Sequence, residues 1–463
     1  MRSRLVAREK IDPGCITIPS EEVIFHPHSF ADDAGRLFQW NGKLCRGINH
    51  ARAPFYNRLF REGVLQTLIE RGLLIETELT DLAVDGYAMV MSHRSLPFIS
   101  YPNEWCPAML RDAALTIIDL AIELGQWGLT LRDAHPWNVL FDFSRPLWVD
   151  LTSIAPQMKE STWSAYDEFC RFCYYPLVLM AHGHERIARA LLPEYEGVLR
   201  SELLTLMRGS GPSRFVMSKA LHRGFRSIQS IFRKGSSQSA LSLLRQVRRD
   251  LESIQLPSYG SRHRRRRNES MRAPSSEADW TSRPLTLRRL LTELQPDRIL
   301  DLSRGPIWTT TVPAIMGFEV VSIDSDAARA SALYETARDK NLSILPLMVD
   351  FIKPTPSVGY SNHYSIAATE RLKCDLVLAL GLTQRVASEN HFSLDLIAEG
   401  LASFSKRWLI VEFDERQGSQ STRADGAPRG GLENFVDALL KHFNEVNVVS
   451  TAANACTLLL CEK

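Results

Sequence analysis

Five short apolar segments in the last third of the chain, separated by stretches long enough for a helix, constrain its fold more than any other feature. They read RILDL, EVVSI, SILPLMV, DLVLAL and RWLIVEF. Short apolar strands that alternate with helices are typical of a doubly wound parallel sheet. The helix-like GLENFVDALLKHF and two last strand-like runs, EVNVVS and ACTLLLC, follow. We therefore predict a Rossmann-like, mostly parallel sheet with an antiparallel edge strand.

Three of these strands are followed by candidate ligand-binding residues, most of them acidic or small. They are Asp301, Ser303 and Gly305 after the first strand, Asp324 after the second, and Asp350 and Phe351 after the third. Because the carboxyl ends of parallel strands meet at one edge of a sheet, where nucleotide-type ligands bind, we expect these residues to share a site. An acid after the second strand can accept hydrogen bonds from both ribose hydroxyls, and one after the third from an adenine amino group. No G-x-x-x-x-G-K motif is present, which favours a cofactor such as S-adenosylmethionine (SAM) over a triphosphate.

The first half carries a different pattern. Two strands around Asn41-Gly42, a helix, a strand and a long helix precede the stretch LRDAHPWNVLFDFSRPLWVD. In it Asp133, Asn138 and Asp150 have the spacing that phosphotransferases use for a proton acceptor, a magnesium ligand and a residue that bridges metal and phosphate. This half resembles the C-lobe of kinase-like phosphotransferases.

Other residues of the first half weaken a catalytic interpretation. The hairpin has no G-x-G-x-x-G, and Asp150 is followed by Leu151 and Thr152 instead of Phe-Gly. Lys43 or Arg46 is the candidate cation for nucleotide phosphates, with Glu62 as its partner. The alternative is a loop in which Asp133 and Asn138 hold the backbone after a helix ends. We do not expect Mg-ATP to bind.

The composition changes between the two halves. Serine, arginine and charged residues replace the apolar pattern over residues 236–283, including the run Arg264 to Arg267. The helix-like patch SALSLLRQVRRDLESI interrupts this segment, so part of it is expected to pack on one of the domains. We predict an α+β kinase-like domain over 1–235, a basic, Ser-rich linker over 236–283 and an α/β domain over 284–463. A net charge of +2 gives no general attraction to nucleic acid. Without a stretch of signal-peptide or membrane-spanning character, we expect a cytoplasmic protein with no membrane partner.

The C-terminal half resembles class I SAM-dependent methyltransferases, in which a D-x-G-x-G loop follows the first strand. Asp301 and Gly305 match that loop, Asp324 the ribose-binding acid and Asp350 the adenine-side acid. Ser303 replaces the first glycine, and its Cβ is expected to obstruct the turn and the approach of the cofactor.

Nearly the whole chain resembles one family, the NoeA-like nodulation proteins, which combine a methyltransferase half with a kinase-like N-terminal half. The resemblance rests on LPFISYPNEWCPAMLRDAALTIIDLAIELGQWGLTLRDAHPWNVLFDFSRPLWVDLTSI, ILPLMVDFIKPTPSVGY, CDLVLALGLTQRV and RWLIVEF. Relatives tend to read A-L-I-H-H after the fourth strand, where this chain has Gly381 to Arg385. That departure removes imidazoles that act as a base or shape an acceptor pocket.

Several other residues have side chains that occur in metal or active sites, but their sequence pattern does not define a site. The pair Cys170 and Cys173 fits one face of a helix, because no second pair stands at zinc spacing. We interpret His182 and His184 as surface residues at a helix end and His391 as a cap of the next helix. Glu412 is a candidate for substrate contact. We predict no metal site and assign no catalytic residue.

The resemblance implies a SAM-dependent methyltransferase acting on a small-molecule or saccharide-type acceptor in a nodulation-related pathway. Two alternatives remain open. One is a small-molecule phosphotransferase that uses the kinase-like half, and the other is a regulatory protein that has lost both activities.

Overall fold

A computed structural model describes residues 16–27, 29, 32–157, 163–207, 237–257, 282–414, 431–451 and 456–463. Within these ranges the chain forms a mixed α/β fold with two main sheets, one in each half. The mixed α/β prediction is confirmed.

The first half begins with a five-stranded antiparallel sheet in the order β2-β3-β4-β7-β5. Its strands are β2 (Ile24–Phe25), β3 (Gly35–Trp40), β4 (Lys43–Ile48), β5 (Thr77–Leu79) and β7 (Met89–His93). A separate parallel pair joins β1 (Ile16–Thr17) to β6 (Leu82–Ala83).

Two glycines shape this region. Asn41 and Gly42 form the predicted two-residue hairpin between β3 and β4, with φ values of 47° and 74°, the left-handed conformation that such tight turns require. The helix predicted after β4 is divided into α1 (Ala53–Arg61) and α2 (Val64–Glu70). The division falls at Gly63, whose φ of 73° cannot continue a right-handed helix.

A long helix, α3 (Pro107–Gln126), forms the centre of the first half, because its apolar residues are buried on most sides. Two small antiparallel pairs follow it. Their strands are β8 (Leu129–Leu131) with β11 (Ile154–Pro156), and β9 (Val139–Asp142) with β10 (Arg145–Trp148). Four short helices come next: α4 (Tyr166–Phe169), α5 (Tyr175–Ala181), α6 (Glu185–Leu191) and α7 (Arg200–Met207).

The segment predicted as a linker is structured in part. Residues Ser237–Ser253 form helix α8, which buries Leu243, Val247 and Leu251 in the core shared with α3. Arg248 Nε donates to Asp119 Oδ1 of α3 at 2.6 Å. This part of the predicted linker therefore packs on the first half, whereas Arg264 to Arg267 lie outside the described residues.

The second half is built on a seven-stranded sheet in the order β14-β13-β12-β15-β16-β18-β17. Neighbouring strands from β14 to β16 are parallel, and β18 is antiparallel to both β16 and β17. The strands are β12 (Arg298–Asp301), β13 (Glu319–Ile323), β14 (Ile344–Leu347), β15 (Cys374–Ala379), β16 (Ser405–Asp414), β17 (Glu445–Thr451) and β18 (Cys456–Glu462).

Seven helices accompany this sheet within the described ranges. They are α9 (Ser282–Leu294), α10 (Trp308–Ile315), α11 (Ala327–Lys340), α12 (Ala368–Arg371), α13 (Thr383–Asn390), α14 (Leu394–Phe404) and α15 (Leu432–Leu440). Strands in the middle of the sheet are buried on both faces, which explains their continuous apolar sequence. In β18 burial alternates residue by residue, as expected when one face is more exposed.

The two halves share one continuous hydrophobic core, and polar contacts join them. Tyr334 Oη of α11 lies 2.8 Å from Asp112 Oδ2 of α3, and Met348 N donates to the Glu104 carbonyl at 2.6 Å. Glu104 also forms an ion pair with Arg371 of α12, and both side chains are buried. Among the described helices, none combines the length and apolar character that a membrane crossing requires.

Candidate functional site

The loop after β12 is organised by Asp301, which is fully buried. Its Oδ1 accepts from Ser303 N at 2.9 Å, and its Oδ2 accepts from the hydroxyls of Thr309 and Thr310 at 2.9 and 2.5 Å. The two threonines belong to the first turn of α10. Asp301 therefore holds the loop against the start of the following helix.

Ser303 fits this loop without backbone strain. It is not among the described residues with positive φ, so the obstruction of the turn predicted for its Cβ is not observed. Its hydroxyl accepts from Leu380 N at 3.0 Å, which ties the loop to the end of β15. A Cβ placed on Gly305 would meet no atom within 4 Å, so Gly305 faces open space.

Asp324 follows β13 at the same edge of the sheet and is nearly buried. Its Oδ1 accepts from Asp326 N at 2.9 Å, and its Oδ2 lies 3.2 Å from Arg329 Nε. Burial raises the pKa of Asp324, and the bond from Asp326 and the charge of Arg329 oppose that rise.

Arg329, in the first turn of α11, was missed by the sequence analysis. Its guanidinium lies between Asp324 and Asp301, 3.8 Å from Asp301 Oδ2, and donates to the Gly305 carbonyl. Only 7% of the side chain is exposed. The acid predicted to bind ribose is therefore paired with a cation of the chain itself.

Asp350 lies beyond the end of β14, and Arg304 Nη2 lies 3.3 Å from its Oδ1. The neighbouring Phe351 ring packs on Phe404, with ring centroids 6.4 Å apart, and is nearly buried. Phe351 thus belongs to the core beside the site, and Asp350 stays at its more exposed side.

The residues after β15 provide buried polar groups without partners. Gly381 has a φ of 68° and lies against the Arg304 carbonyl. Within the described part of the chain, Thr383 Oγ1 and Gln384 Nε2 are buried and have no hydrogen-bond partner. Buried polar groups are normally satisfied. These polar groups and the carboxylates of Asp301, Asp324 and Asp350 all follow strands of the same sheet, so they are the residues that could hold a polar ligand there.

Asp133, Asn138 and Asp150 lie close together in the first half. The pairing of β8 with β11 places the two loops side by side, and Val149 N donates to the Asn138 carbonyl at 2.9 Å. All three line one cleft with a volume of about 590 Å³. Asp150 Oδ1 accepts from the amide and hydroxyl of Thr152 at 3.0 and 2.5 Å.

Arg46 is the buried arginine among the residues that line this cleft. It is buried on β4 and forms an ion pair with Asp32, and its Nη1 lies 3.5 Å from Thr152 Oγ1. Lys43 is exposed at the start of the strand. The partner predicted for the cation is wrong, because Glu62 lies 3.9 Å from Arg58 and the carboxylate on Arg46 is that of Asp32.

His93 ends β7 and lines the same cleft. Thr77 Oγ1 donates to the Ile75 carbonyl at 3.0 Å and lies 2.9 Å from His93 Nδ1. Because a hydroxyl has one proton to donate, His93 Nδ1 is the donor to Thr77, and Nε2 carries the free lone pair. Burial, reinforced by the charge of Arg46, lowers the pKa of His93 to about 3.

This pKa predicts that acid destabilises the fold through His93. The unfolded chain binds a proton at the imidazole below the ordinary value of 6.5, whereas the folded protein excludes it. The contribution of His93 to the free energy of unfolding is thus fully present above about pH 6.5, and it is lost as the pH decreases toward about 3. In urea unfolding between about pH 7 and 4, His93→Gln is expected to show a shallower loss of stability than the natural chain. The exposed His50→Gln is the control, and equal slopes for all three proteins would contradict the assignment.

The remaining candidates lie apart from both groups of residues, and among them His184 has a buried Nε2 with no hydrogen-bond partner within the described ranges. Cys170 and Cys173 are buried in a π-helical turn, and His182 Nδ1 lies 2.8 Å from the Val178 carbonyl. Ser393, and not His391, caps α14. Glu412 lies inside β16 and forms an ion pair with Arg283. In the described ranges no cluster of three or more His, Cys, Asp or Glu residues could hold a metal ion.

Comparison with known proteins supports the predicted family resemblance. The chain is 25% identical over 420 residues to the nodulation protein NoeA of Rhizobium meliloti (strain 1021), covering 82% of this chain and 83% of that protein. The NoeA-like resemblance predicted from the sequence is therefore confirmed. No protein-family model matches the chain.

Solved structures give more distant likenesses. The T. thermophilus 16S rRNA N2 G1207 methyltransferase (RsmC), in complex with AdoMet and guanosine, is 16% identical, covering 41% of this chain and 45% of its own, with a TM-score of 0.26. The bifunctional kinase-methyltransferase WbdD is 11% identical, with 40% and 39% covered and a TM-score of 0.30. Less than two thirds of either solved chain is matched, and such TM-scores do not define a shared fold.

Proposed function

We propose that this NoeA-like protein is a SAM-dependent methyltransferase acting on a small-molecule or saccharide-type acceptor, with the cofactor bound in its second half. The observation that carries the proposal is the placement of Asp301, Asp324 and Asp350 at the carboxyl ends of β12, β13 and β14. Ligands of parallel sheets bind at this edge, where the strand order reverses. Here the reversal lies between β12 and its neighbour β15.

Different residues of the proposed site would bind different parts of the cofactor. Asp324 would accept from the ribose hydroxyls, Asp350 stands on the adenine side, and Gly305 leaves space for close approach. Gln384 and Thr383 offer polar groups that lack partners within the described chain. SAM supplies the electrophilic methyl group, so the protein mainly contributes orientation of the acceptor.

We further propose that the first half is a kinase-like scaffold. Its sheet order, the helices after β4 and the loops bearing Asp133 and Asp150 support that comparison. One observation argues against phosphoryl transfer. Arg46, the candidate cation for nucleotide phosphates, already forms an ion pair with the Asp32 carboxylate. The active chemistry is therefore assigned to the second half.

Removing the ribose acid tests the cofactor assignment. Asp324→Ala is expected to weaken SAM binding by about 1.5 to 3 kcal/mol, the range for hydrogen bonds to a charged group. Asp324→Asn is expected to lose less, because its amide keeps one acceptor. Isothermal titration of folded variants provides the measurement, with the exposed Asp339→Ala on the helix that follows, α11, as control. Unchanged affinity in Asp324→Ala would remove the ribose assignment.

A further inference from the structure

The cleft of the first half presents carboxylates where a nucleotide site presents cations. Asp32 and Asp33 lie just before β3, in the connection from β2. Asp32 is paired with Arg46 and lies 3.1 Å from Thr152 Oγ1. Asp33 Oδ2 is 2.7 Å from Arg52 Nη2. Each added phosphate would have to displace a carboxylate and would be repelled by it.

The charge of the cleft is negative. Four aspartates and three arginines line it: Asp32, Asp33, Asp133, Asp150, Arg46, Arg94 and Arg132. Arg94 forms ion pairs with two carboxylates that do not line the cleft, at 3.0 Å from Glu76 and 2.5 Å from Asp142. In the part of the chain that the structure describes, Asp150 is hydrogen-bonded to Thr152 and Asp133 has no ion-pair partner. These two carboxylates favour a cation.

One wall of the cleft also holds a donor and an acceptor without partners. Arg46 Nε and His93 Nε2 are buried and form no hydrogen bond within the described ranges. They lie on neighbouring strands, where Leu44 is paired with His93 and Arg46 with Met91, so both side chains are on one face of the sheet. A hydroxyl group satisfies both, since it accepts from Arg46 and donates to His93.

We infer that this cleft binds a positively charged, hydroxyl-bearing small molecule, such as an amino sugar, and not a nucleotide. The ammonium group lies toward Asp133 and Asp150, a hydroxyl group lies between Arg46 and His93, and Leu44 and Leu140 contact the carbon skeleton. A volume of about 590 Å³ is in the range of small-molecule sites. This inference is independent of SAM binding in the second half.

A matched ligand series tests the charge preference. Saturation-transfer NMR on the full chain compares D-glucosamine, D-glucose, D-glucose 6-phosphate and Mg-ATP at equal concentration. Glucosamine is expected to bind best, glucose more weakly, and the two phosphates least. Asp133 is exposed, so the Asp133→Asn variant should fold. The variant is expected to bind glucosamine about tenfold more weakly, which corresponds to the loss of a hydrogen bond to a charged group. Glucosamine should then bind no better than glucose.

Two further variants complete the experiment. His93→Leu removes the acceptor and is expected to weaken glucose and glucosamine alike. Glu78→Gln, at an exposed position on β5, is the control and should leave all signals unchanged. Absence of a glucosamine signal, equal signals in Asp133→Asn and the natural chain, or stronger binding of glucose 6-phosphate or Mg-ATP would each overturn the inference.

Discussion

Replacing Glu104 with alanine is expected to lower the free energy of unfolding by about 3 to 5 kcal/mol, because it leaves a buried guanidinium without its counter-charge. The Glu104 and Arg371 side chains are 0% and 2% exposed. Glu104 also accepts from Tyr101 N at 3.0 Å, and Arg371 donates to the carbonyls of Ile99 and Ile366 at 2.5 and 3.0 Å. The pair thereby joins segments of the two halves that lie 267 residues apart.

Urea unfolding of the full chain measures this effect. The control is Glu389→Ala, which breaks an exposed pair with Arg385 on α13 and is expected to change stability by less than about 1 kcal/mol. Glu104→Gln keeps hydrogen-bonding capacity and should lie between the two. A loss in Glu104→Ala no larger than that of the control would show that the pair contributes little to holding the halves together.

Replacing Arg329 with methionine is expected to cause a loss of similar size, about 3 to 5 kcal/mol. Methionine keeps much of the apolar stem but removes the charge, so that the buried carboxylates of Asp301 and Asp324 lose their cation. Part of the deficit should disappear at lower pH, because burial raises the pKa of Asp324 and the loss of the Arg329 charge raises it further, so that the carboxyl takes up a proton more readily. Unfolding curves at two pH values provide the measurement.

A double-mutant cycle separates this charge effect from packing. Adding Asp324→Asn to Arg329→Met is expected to cost less than the sum of the single changes, since the amide needs no counter-charge. Under the proposed cofactor assignment, Arg329 and the ribose hydroxyls compete for Asp324, so SAM should stabilise Arg329→Met more than the natural chain. Additive losses together with an unchanged response to SAM would contradict the role assigned to Arg329.

Sequence patterns were sufficient to predict the elements that position the site. The apolar strands at RILDL and EVVSI placed Asp301 and Asp324 at the carboxyl ends of strands, which is the edge where a parallel sheet binds its ligands. Asn41-Gly42 predicted its hairpin from the conformations those two residues tolerate. The spacing of Asp133 and Asn138 predicted a shared loop, since both lie between two short strands.

The partners of these residues could not be predicted in the same way. Arg46 was a candidate for the phosphate-binding cation, but its ion-pair partner was not predicted. Arg46 pairs with Asp32 and not with Glu62 because the loop before β3 brings Asp32 next to it. Arg329 stands five residues beyond Asp324, and its direction toward Asp301 follows from the first turn of α11. No sequence signal joins Glu104 to Arg371, because their contact exists only once both halves are packed.

Calorimetric titration of the full chain with SAM tests the central claim most directly. We expect SAM and S-adenosylhomocysteine to bind at one site per chain, while Mg-ATP produces no saturable heat. Binding of Mg-ATP, or absence of heat from both SAM and S-adenosylhomocysteine at millimolar concentration in a folded protein, would contradict the proposed cofactor site.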